Sequence, residues 1–200
     1  MFSAPRIPNH ATRIALLAGL LAMLTAPVFA QKAIETIDAQ AYGTSTQLGK
    51  NATVRLIVFQ FSTQADTDTL TQAFKKGGND GLRDALAKMK SVGRIQTPGT
   101  GKVGYDLSYI RLTPTSTGRN IRFITNRQIK FREAYNNTRS QAYNLTAGEI
   151  NLDDQDKSKS AGVLYPATQI TINKDGQVEF NLFKNPWRLN NIIDWNAGKE

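Results

Sequence analysis

The amino-acid sequence predicts an α+β protein dominated by β structure, built as a mainly antiparallel sheet or sandwich with a short two-helix insertion. Three observations carry that expectation. Beyond residue 91 the chain reads almost wholly as strand and turn, with apolar residues alternating at period two. The strands follow one another through short turns, which favours antiparallel neighbours. One stretch, residues 63–89, switches to helical spacing.

The N-terminus reads as an export leader. Arg6, His10 and Arg13 precede the apolar run from Ile14 to Leu24, and residues 27–30 read P-V-F-A. This is the three-part pattern of a secretory signal, with cleavage expected after Ala30. The apolar run is about half of what a bilayer span needs, so no anchor is expected after cleavage. No cysteine lies near the cleavage site, which excludes a lipid-anchored form. The expected organisation is therefore a signal peptide over 1–30 and a single β-rich domain over 31–200, periplasmic or extracellular.

Two strands open the domain, "AIETIDAQAYG" and "ATVRLIVFQFS". In the second, Val54, Leu56 and Val58 share one face while Arg55, Ile57, Phe59 and Phe61 share the other. Both faces are largely apolar, which predicts a central strand covered on both sides. Thr63 and Asp66 then form a capping box. Leu70, Ala73, Phe74 and Gly77 follow at helical spacing, and Gly77-Gly78 is expected to end that helix. A second helix from Asp80 presents Leu82, Leu86 and Met89 as a stripe for docking on the sheet.

"SVGRIQ" leads through a glycine-rich segment into "VGYDLSYIRLT", Pro114 to Gly118 turns the chain, and "RNIRFITN" returns. A polar loop near "EAYNNTRS", the strand "YNLTAGEINL" and a charged turn from Asp153 to Lys159 come next. The last hairpin surrounds Lys174-Asp175-Gly176. A two-residue loop would set Ile172 opposite Glu179. A three-residue loop sets Ile172 opposite Val178 and Ile170 opposite Phe180, so the apolar faces select the latter.

Composition removes many chemistries. The chain has no cysteine, and its one histidine, His10, leaves with the leader. The mature protein then lacks disulfides, the two commonest zinc ligands and the commonest general base, so no cofactor and no catalysis are expected. Gly99, Gly101 and Gly104 stand in G-x-G-x-x-G order around Lys102, but they lead into a strand and offer no helix start to a phosphate; no nucleotide is expected. Asp153, Asp154 and Asp156 resemble the start of a calcium loop, yet Lys159 and Tyr165 stand where that loop needs glycine and glutamate. No S-x-x-K occurs. A carboxylate-dependent glycan hydrolase stays open as an alternative, with Asp106, Glu133 and Glu149 as candidates.

Charge gives the best functional lead. The formal net charge is +9, and +7 once Arg6 and Arg13 are removed. Residues 75–139 carry +10 between flanks that are slightly acidic. In "RNIRFITNRQIKFR", an extended chain would place Ile121, Phe123, Arg127, Ile129 and Phe131 on one face and Arg122, Lys130 and Arg132, with Asn126 and Gln128, on the other. With Arg111 and Arg139, these cations are the candidate binding residues for an anionic polymer or cell-envelope component such as lipopolysaccharide or cell-wall polymer. The alternative is a solvated face that keeps the protein soluble.

The blocks "FKKGGNDGLRDALAKMKSVGRI", "TPGTGKVGYDLSYIR", "EAYNNTRSQAYNLTAGEINLD" and "ATQITINKDGQVEFNLFKNPWRLNNI" cover most of the mature chain. On these blocks the chain resembles a family of uncharacterised secreted bacterial proteins, departing from it at Thr100 to Val103, where the glycine turn is longer. The resemblance implies a shared β-rich fold and export, and it transfers no catalytic residue, cofactor or partner. The function expected from the sequence is a non-catalytic, exported binding or scaffolding module.

Overall fold

The computed structural model describes residues 32–99, 103–129, 143–172, 178–182 and 185–196; the expected leader lies outside them. Ala33–Glu200 cluster as one compact unit. Its elements are β1 (Glu35–Gly43), β2 (Asn51–Val58), α1 (Gln64–Lys88), β3 (Gly93–Gln96), β4 (Tyr105–Leu107), β5 (Tyr109–Pro114), β6 (Gly118–Thr125), β7 (Leu145–Asp153), β8 (Ala161–Ile172), β9 (Val178–Leu182) and β10 (Trp187–Asp194). Every strand pairing among them is antiparallel.

The strands follow the path β4-β3-β2-β1-β10-β8-β7-β6-β5, with β9 paired to β8 alone. The two ends of that path, β4 and β5, are separated in sequence only by Ser108. One extended segment therefore pairs with β3 before Ser108 and with β6 after it. The sheet is a nearly closed barrel, which corrects the sandwich offered as an alternative: a sandwich needs two separate sheets, and here β10 joins β1 to β8. The seam beside Ser108 is laced by Val92 N donating to Leu107 O, Ser62 N to Ile110 O, and Ile110 N to Ser62 Oγ.

Alternation sends one side of each strand inward. Ile37, Leu56, Ile95, Leu107, Ile110, Ile121, Phe123, Ile150, Leu164 and Leu189 form the interior cluster. Gly148, facing Phe123 across the β6–β7 pair, leaves the room its ring fills, since a Cβ there would collide with that ring. At one barrel end the interior closes on charge. Arg119 lies on the inward face of β6 and reaches across to Glu35 of β1 and Asp194 of β10, strands that are not its neighbours, and to Asp154.

The insertion, Gln64–Lys88, consists of two helical segments joined across a kink where Gly77 and Gly78 leave helical geometry, the break expected at that glycine pair. Gly78 has φ of +56°, a conformation that favours glycine, so the chain turns there between the two helical segments. The Thr63–Asp66 capping box forms as expected. Leu70, Leu82 and Leu86 dock on the outside of the barrel against Leu145 and Ile170, with Phe74, Met89, Tyr109 and Ile124 at the margin. Asn79 bridges both backbone groups of Ile170, Nδ2 to O and N to Oδ1, each at 2.7 Å.

The β2 strand is central as expected, but only its inner face is covered: Val54, Leu56 and Val58 are buried, while Ile57 and Arg55 stay half exposed, because α1 lies over β5–β8. The β8–β9 register sets Ile172 opposite Val178 and Ile170 opposite Phe180, as the apolar faces required; the turn itself lies outside the described residues.

Candidate functional site

The polar outer face lies beside the start of α1. The β5–β6 turn, closed by Thr115 N donating to Gly118 O at 2.9 Å, fixes a register in which Arg111 sits directly opposite Arg122. Glu149 of β7 is the next partner along that row, followed by Val163 of β8 and Arg188 of β10. A parallel row, one alternate residue along, runs Thr113, Asn120, Asn151.

Hydrogen bonds hold these side chains in place. Arg111 is half buried and donates to Gln64 Oε1 at 3.0 Å and Thr67 Oγ1 at 3.1 Å, both on α1. Among the described residues it has no carboxylate partner. Arg122 is exposed and donates from Nε to Glu149 Oε2 at 3.1 Å. Asn120 is buried, and its amide nitrogen donates to Glu149 Oε1 at 2.7 Å and Asn151 Oδ1 at 2.6 Å. Burial pushes the Tyr165 hydroxyl above its usual pKa, and the nearby Glu149 carboxylate adds to that shift. Like charges directly opposite on neighbouring strands are destabilising. Here Glu149 offsets the charge of Arg122, while Arg111 is held by the neutral Gln64 and Thr67.

Of the cations expected to form a binding face, the structure brings Arg111 and Arg122 together. Lys130, Arg132 and Arg139 lie outside the described residues. Within the described residues the strand that carries Arg122 does not continue towards them. β6 ends at Thr125, whose Oγ1 accepts from Arg127 N at 3.2 Å, and the chain bends there. Ile129 is buried, its N–H donating to Thr146 Oγ1 at 2.8 Å.

The candidate carboxylates are also placed. Asp106 pairs with Arg94 at 2.8 Å and Glu149 with Arg122, on different strands, and Glu133 lies outside the described residues. The glycine segment connects β3 to β4, strand to strand, with Gly99 and Gly104 at positive φ. Asp153 Oδ1 accepts from Gln155 N and Asp156 N within its own turn, Asp154 pairs with Arg119, and Asp156 accepts from Ser158 N. Among the described residues no group of His, Cys, Asp or Glu could hold a metal ion.

Sequence reasoning missed Asn120, Asn151, Gln64 and Thr67. The first two were within reach: counting outward from the Pro114–Gly118 turn sets Arg111 opposite Arg122 and Thr113 opposite Asn120. The helix residues carried no signal, because nothing local says which strands α1 covers. Among the described residues no helix is long and apolar enough to cross a membrane. Compared with protein-family models, curated proteins and solved structures, the chain matches none of them.

Proposed function

We propose that the protein is an exported, non-catalytic binding module that works through the outside of its barrel. The observation that carries this reading is the division of the barrel's two faces. The interior is occupied by packed apolar side chains and closed at one end by the Arg119 cluster, while the outer face of β5–β7 presents a fixed set of donors and acceptors. Asp106 and Glu149 are each engaged by their own arginine and lie on separate strands, which favours recognition over paired-carboxylate hydrolysis. Export rests on the leader pattern of residues 1–30.

The ligand is an anionic polymer or envelope component, a reading favoured by the facing Arg111 and Arg122. Retention on a heparin column tests it. The mature protein is expected to be retained, to elute early as salt rises, and to lose retention when Arg111 and Arg122 are changed to Gln together. Undiminished retention of that folded variant refutes a role for this face. A second variant, R122Q with K130Q and R132Q, tests the remaining cations.

A further inference from the structure

The row beside α1 carries more than positive charge. A surface that only collects phosphates gains nothing from a carboxylate in its middle, because that charge repels every approaching anion. Glu149 nevertheless stands between the arginine pair and Asn151, held from one side by Arg122 and from the other by the buried Asn120. Asn120 uses both amide protons inside the row, one on Glu149 and one on Asn151. It therefore acts as a positioning residue that fixes the half-buried Glu149 and the exposed Asn151. A carboxylate beside a carboxamide is a donor-and-acceptor set suited to hydroxyl groups, which both donate and accept. Next to it, Arg111 and Arg122 supply charge-assisted donors for one oxyanion.

We infer that the outer face of β5–β7 is a binding site for an acidic saccharide, with a carboxylate or phosphate seated between Arg111 and Arg122 and sugar hydroxyls on Glu149 and Asn151. The inference deepens the anionic-ligand reading above and rests on it. The site is built on neighbouring strands in fixed register, so little order is gained on binding and the entropic cost stays low.

The test is calorimetric titration of the mature protein with trigalacturonate, glucose 6-phosphate, maltotriose and tripolyphosphate, alongside amide chemical-shift mapping. Binding of trigalacturonate supports a carboxylated sugar, and binding of glucose 6-phosphate supports a phosphorylated one. In either case R122Q weakens binding by at least about tenfold, the loss of one charge-assisted hydrogen bond. N151A weakens the acidic sugar but not tripolyphosphate. R83Q, which removes the same charge from the far part of α1, changes nothing. Shifts are expected at Arg122, Glu149 and Asn151. Tripolyphosphate binding as tightly as both acidic sugars, with N151A silent, overturns the saccharide inference and leaves the anionic-ligand reading standing. Absence of binding by all the anions, together with lost heparin retention of the wild type, overturns both.

Discussion

Replacing Arg119 by Gln gives the sharpest test of how this barrel is held. Arg119 bridges three carboxylates, and the side chains of Glu35 and Asp194 are each only 9% exposed. Removing the cation leaves two nearly buried carboxylates without a countercharge. Breaking a buried pair costs about 3–5 kcal/mol, and because Arg119 itself keeps 25% exposure the expected loss is nearer to about 3 kcal/mol. For a domain of this size that corresponds to a fall in Tm of about 6–12 °C. Acidity should reduce the loss. Burial, as the largest cause, raises the Glu35 pKa above its ordinary value, and the neighbouring Asp194 and Asp154 charges add to that, against the lowering effect of Arg119. An acid whose folded pKa is raised binds its proton more readily in the native state. Its charged form therefore lowers stability as pH rises through that range, and protonation restores it. In R119Q, acidification from neutral towards pH 4 should neutralise Glu35 and shrink the deficit against wild type. Urea unfolding of both proteins across that range measures it. A deficit below about 0.5 kcal/mol, which is what a surface pair contributes, or one that grows with acid, refutes the reasoning.

Two further outcomes follow from the same geometry. G148A forces a methyl group into the Phe123 ring inside the barrel, and overpacking of that kind is expected to cost about 1–3 kcal/mol in chemical unfolding, with F123L partly relieving it. Asp38 is held below its usual pKa chiefly by hydrogen bonds from Arg55, helped by Trp195 Nε1. A depressed carboxylate stabilises above its unfolded pKa and loses that contribution as pH falls through the folded value. Wild type should accordingly lose its advantage over D38N only below about pH 4, the ordinary carboxylate range, as read from Tm against pH.

How far the sequence disclosed this fold depends on which forces act locally. The Thr63–Asp66 box, the break at Gly77-Gly78 and the Ile170–Phe180 register are each decided by residues a few positions apart, and all three stand in the structure. Closure of the barrel was not decided that way. It depends on Ser108, where one extended segment changes partners between β3 and β6, and period-two alternation reads the same whether a sheet curls shut or folds over on itself. The Arg119 cluster was hidden for a related reason: its members are far apart in sequence, and only closure brings β6 opposite β1 and β10.

The candidate site shows the same division between local and distant information. Parity along "RNIRFITNRQIKFR" placed Arg122 on the solvent side, and β6 keeps it there. Carrying that parity through Asn126 to Lys130 and Arg132 assumed an unbroken strand, yet the Thr125 hydroxyl caps the strand end and the chain bends. The cationic pair that does form comes instead from turn geometry, which sets Arg111 against Arg122 across β5 and β6. Glu149, read from sequence as a possible hydrolytic acid, sits one strand further on as the partner of Arg122. With Arg122 on one side and the Asn120 amide on the other, the Glu149 carboxylate is held in one orientation as a hydrogen-bond acceptor, so its neighbours decide its role more than its residue type does.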